Sequence, residues 1–132
     1  MKHDLATLSK FIQEPVKISA ASWGTAQLGR SGGLGPSDWA LEAVLKISRE
    51  DLQFLISSSN TLPAGENPSL DRRFVSNWFP EELRSRLVGD DKTYFRFNVP
   101  GYKADLFAKS PLLNGYFVPI SEEQIFLFLH TS

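Results

Sequence analysis

The chain contains no cysteine in its 132 residues, which excludes disulfides, thiolate nucleophiles and cysteine-ligated zinc or iron–sulfur centres. Long apolar runs are also missing. The longest, Ile125 to Leu129, falls far short of the roughly 20 residues a helix needs to span a bilayer. Nor does an apolar stretch follow Met1-Lys2-His3-Asp4. As written, the chain reads as soluble and cytoplasmic, or as periplasmic or lipid-tethered if an export signal has been removed.

An excess of one charge is absent too. Lys and Arg number 14 against 15 Asp and Glu. Residues 1–44 hold four bases and four acids, residues 45–88 six and six, and residues 89–132 four and five. Nucleic-acid binders neutralise phosphates with clustered cations, so this even mixture points away from nucleic acid and from a polybasic membrane-surface segment.

What is present suits one globular domain over 1–132. The hydrophobic share is 42%, enough for an ordinary core at this length. Leu5, Leu8, Phe11 and Ile12 recur at helical spacing before Pro15, and alternation suggests strands over 16–20 and 23–28. Residues 29–37 contain four Gly and one Pro and form a loop. Trp39, Leu41, Ala43, Leu45 and Ile47 alternate with Ala40, Glu42, Val44 and Lys46, which predicts a strand with one buried face. Ser48 then caps a helix whose first turn carries Glu50 and Asp51, acids placed well for the helix dipole.

Residues 57–71 are polar with two prolines and predict an exposed loop. Pro80 followed by Glu81 and Glu82 opens a short helix. Strands are expected over 94–99, 102–108, 116–119 and 125–130, with 114–115 either a tight turn or a strand start. The last strand is apolar on both faces and should lie inside the sheet. The fold class expected is α+β, a mainly antiparallel sheet of about five or six strands carrying two or three short helices.

No motif completes a chemistry. Gly29-Arg30-Ser31-Gly32-Gly33 matches G-x-S-x-G, yet the glycines and Pro36 that follow cannot begin the helix a nucleophile elbow requires. The same stretch lacks both phosphate-loop signatures. His3 and His130 are far apart in sequence and belong to no ligand-spaced pair, so no metal and no cofactor is expected. Asp38 and Asp105 are the acids expected to be partly buried.

The function expected is therefore non-catalytic binding, with a stoichiometric inhibitor or immunity-type protein as one version and another protein as partner. Trp78 and Phe79, flanked by Arg72 and Arg73, combine the residue types of interaction hot spots, and Tyr102 and Tyr116 sit at expected turns. The alternative is a small hydrolase or lyase using Asp38 or Asp105 with His130.

Overall fold

The computed structural model describes residues 1–27, 38–62, 67–89 and 92–131. Their architecture is α+β, with eight strands and three short helices. In chain order the elements are α1 (Leu5–Leu8), β1 (Ala20–Gln27), β2 (Trp39–Lys46), α2 (Arg49–Ser58), β3 (Ser69–Asp71), a 3₁₀ turn (Arg72–Phe74) and α3 (Glu81–Arg84). They continue as β4 (Leu87–Val88), β5 (Tyr94–Phe97), β6 (Tyr102–Lys103), β7 (Asn114–Ser121) and β8 (Gln124–His130). None of the described helices is long and apolar enough to cross a membrane.

The strands divide into two antiparallel sheets. The larger has the order β1-β2-β8-β7-β6 and the smaller β3-β5-β4. β8 is thus internal, as its unbroken apolar run predicts. The β2–β8 ladder pairs Leu41 with Leu129, Ala43 with Leu127 and Leu45 with Ile125 on one face. These residues pack with Trp23, Leu8, Leu55 and Phe117 in a first core. On the other face Val44 pairs with Phe126 and Glu42 with Phe128. There the small sheet, the 3₁₀ turn and α3 supply Leu70, Phe97, Phe74 and Leu83 to a second core. The alternation in β2 implied a wet side for Ala40, Glu42 and Val44. All three are buried, because a second layer that pairing alone does not announce covers that side.

α2 follows its capping signal: Ser48 Oγ accepts from the Asp51 N–H at 3.1 Å, and Leu52 and Leu55 point into the core. Pro80 stands just before the first helical residue of α3.

Several sequence expectations shift. The opening helix is one turn long, although Leu8 and Ile12 are still buried by the turn that follows it. Residues 16–19 form no strand, and β1 starts at Ala20. Only Tyr102 and Lys103 pair in the 102–108 stretch. Ala104 and Phe107 both enter the core and are joined by a bond from the Phe107 N–H to the Ala104 carbonyl, so the spacing there is that of a turn. In the 57–71 stretch, α2 reaches Ser58, β3 begins at Ser69, and Pro68 and Leu70 are buried; 63–66 lie outside the described residues. The Gly-rich segment 29–37 and its G-x-S-x-G also lie outside them.

Candidate functional site

β3 is an edge strand, and its hydrogen bonding fixes which way its backbone points. The Phe97 N–H donates to the Pro68 carbonyl and the Arg72 N–H to the Thr93 carbonyl. With Leu70 opposite Phe95, residues 68, 70 and 72 bond to β5. In an antiparallel ladder the intervening residues then point the other way. The Ser69 carbonyl does so, accepting from the Tyr116 hydroxyl at 3.2 Å. The N–H groups of Ser69 and Asp71 share that direction and have no partner among the described residues.

This edge borders an open cleft of about 260 Å³ lined by Ser69, Leu70, Asp71, Phe74, Tyr94, Phe128 and His130. Phe128 lies 5.5 Å from the ring of Phe74, 5.6 Å from Tyr116 and 5.8 Å from His130. Tyr94 is 50% exposed at the rim. Asp71 Oδ1 accepts from the Arg73 N–H at 3.0 Å, and Asp71 Oδ2 lies 3.4 Å from Arg73 Nε. One side of the cleft is therefore aromatic and the other is a strand edge whose donors have no partner among the described residues.

Beside the cleft, on the same face of the large sheet, lies Glu42, 4% exposed and directly opposite Phe128. Its Oε2 has no hydrogen-bond partner among the described residues. Burial pushes this carboxyl up to about 8, since a charge in an apolar row is poorly solvated. It is accordingly protonated at neutral pH. Burial also raises the Tyr116 hydroxyl, with a smaller contribution from the Glu42 charge.

The residues singled out in the sequence divide between core, rim and other surfaces. Phe79 is buried in the second core, and Trp78 is half-buried against it with ring centroids 4.9 Å apart. Arg72 lies over the Phe95 ring at 3.9 Å and Arg73 over Phe74 at 4.7 Å. Tyr116 holds the edge of β3 at the cleft. Tyr102 stacks on Phe117 in the first core, on the opposite face.

Asp38, Asp105 and His130 are joined to one another by no hydrogen bond or ion pair. Asp38 accepts from the Thr131 hydroxyl at 3.1 Å. Asp105 is exposed in the turn between Ala104 and Phe107, contrary to the partial burial expected of it. The buried acid is Glu42, whose signal in the sequence was a lone carboxylate inside an otherwise apolar stretch. Ser69, Asp71, Phe74 and Tyr94 carried no signal of their own, because the cleft exists only where two sheets meet. Among the described residues, no three His, Asp or Glu side chains converge as metal ligands.

Compared with protein-family models, with curated proteins and with solved structures, the chain matches none.

Proposed function

We propose that the protein is a small non-catalytic binding protein, of the stoichiometric-inhibitor or immunity kind, and that its partner is another protein engaged at the cleft between the two sheets. The observation that carries this reading is the cleft itself. Its walls Phe74 and Phe128 are fixed by the core behind them, and Tyr94 projects at its rim. Rigid aromatic anchors beside arginines bind with little loss of side-chain freedom.

Affinity capture from native lysate, run in parallel with the intact protein and with Tyr94→Ala and His130→Ala, tests this. A retained protein lost with both variants, while their near-ultraviolet circular dichroism stays unchanged, supports the reading. Equal retention by all three would remove the cleft from consideration.

One observation favours a catalytic reading, through residues other than Asp38 and Asp105. His130 lines the cleft together with Ser69 and Asp71, which are acid–base and nucleophilic residue types. Against it, both carboxylate oxygens of Asp71 face Arg73. Turnover of activated esters that disappears in His130→Ala would favour the enzyme over the binding protein.

A further inference from the structure

The lining of the cleft differs along its length, and the strand edge is its most specific part. Two backbone N–H groups, on Ser69 and Asp71, project along one side of β3 without partners among the described residues. Donors on alternate residues of a strand stand about 6.5–7 Å apart. That is the spacing of alternate carbonyls in a second extended chain and of little else a protein meets. The neighbouring carbonyl, on Ser69, accepts one bond among the described residues, from Tyr116, and a carbonyl oxygen has two lone pairs.

We infer that the cleft receives an extended segment of a partner polypeptide, which adds to β3 as a fourth strand of the small sheet and seats an apolar side chain against the contacting rings of Phe74 and Phe128. This rests on the cleft being the binding site proposed above. It adds the mode of recognition: main-chain bonds supply affinity and the aromatic pocket supplies selectivity. Side-chain charge narrows the partner further. Arg96 is exposed and directly opposite Ser69 across β3–β5, so an acidic residue flanking the anchor is favoured. Among the other edges, β6 is closed by the chain itself, through the Lys103 N–H to the Asn60 carbonyl and the Thr61–Tyr102 bridge, and β1 is bridged by Lys2 at Trp23.

Proline makes the test selective for backbone. Asp71 has φ −60°, the value a proline ring imposes, and its N–H has no partner among the described residues. Asp71→Pro therefore deletes one edge donor with the local conformation kept, whereas Asp71→Ala deletes only the carboxylate. The probe is a displayed library of random ten-residue peptides selected on the intact protein.

The expected result is enrichment of peptides with an aromatic or aliphatic anchor beside an acidic residue. Their affinity should fall at least about tenfold in Asp71→Pro, the loss of one hydrogen bond left unmade, and change less than about threefold in Asp71→Ala. Arg96→Glu should weaken binding as well. Should Asp71→Pro fold poorly, replacing the peptide amide beside the anchor by an ester reads the same bond from the ligand side.

Loss of binding in Phe128→Ala and Tyr94→Ala with full affinity in Asp71→Pro and for the ester would overturn strand addition and leave the cleft standing. No enriched peptide, or binding indifferent to all cleft variants, would overturn both. Dimerisation in sedimentation equilibrium that Asp71→Pro abolishes would assign the edge to a second copy of this chain and overturn the heterologous partner.

Discussion

Glu42 faces Phe128 directly across the β2–β8 ladder, which sets a buried, unpartnered carboxyl against the ring that walls the cleft. The arrangement is costly for a charge and tolerable for a neutral acid. It makes the stability of the molecule depend on protonation at a single position.

Glu42→Gln is the first test. The carboxyl titrates near 8 in the fold against an ordinary 4.5, so the native state holds the proton more tightly than the unfolded chain. Its stabilisation is complete below about pH 4.5, declines as pH rises toward 8, and levels off above. The slope approaches about 1.4 kcal/mol per pH unit within that window. Urea midpoints should fall by the equivalent of about 2–4 kcal/mol from pH 5 to 8 in the parent protein, and Glu42→Gln should remove most of that decline. Parallel pH profiles for the two proteins would show that Glu42 ionises without resistance.

Gly115 and Gly24 offer a contrast within one sheet. A Cβ on Gly115 would lie 2.0 Å from the Phe128 carbonyl oxygen, and its φ of +151° disfavours any side chain. Gly115→Ala should cost about 3 kcal/mol or more in chemical denaturation. Gly24, opposite Glu42, has nothing within 4 Å of that position. Gly24→Ala should be neutral or stabilising by about 0.5 kcal/mol. Comparable losses at both sites would contradict the backbone geometry of β7.

Trp23 and Trp78 should separate by burial. Trp23 is wholly buried, and its indole N–H donates to the Asp4 carbonyl at 3.0 Å. Trp23→Ala should cost about 3–5 kcal/mol. Trp78 covers Phe79 from the surface, and Trp78→Ala should cost about 1–2 kcal/mol with the fold retained. A reversed order in thermal denaturation would mean that the second core depends on Trp78 more than its exposure implies.

Ser48→Ala removes the side-chain acceptor for the Asp51 N–H and should cost about 1 kcal/mol. Ser48→Asp should restore it. Failure of the aspartate to recover stability would place the effect somewhere other than the cap.

Much of the molecule was readable along the chain, because local rules govern local features. The period of two in residues 39–47, the unbroken apolar run of 125–129 and the Ser48 cap each specified an element through backbone geometry and hydrogen bonding within a few residues. They also sufficed for the α+β class and for an internal last strand. The candidate site was less legible. Arg72 and Arg73, singled out by composition, lie in sequence between Asp71 and Phe74 of the cleft lining, and Tyr116 donates to the Ser69 carbonyl beside it. Phe79 and Tyr102 were selected on the same grounds but are committed to packing. Composition counts aromatic rings without saying what covers them.

By itself, then, the order of residues determined β2 and β8, the cap of α2 and the absence of thiol chemistry, since each follows from short-range sterics or from residue type. Only the tertiary structure decided that Glu42 would be buried and that the β3 edge would border the same cleft as Phe74 and Phe128. Both depend on a second sheet settling over the first, a contact between segments far apart in the chain. Its free energy comes from apolar area removed from water, which has no direction and leaves no periodic mark in the sequence.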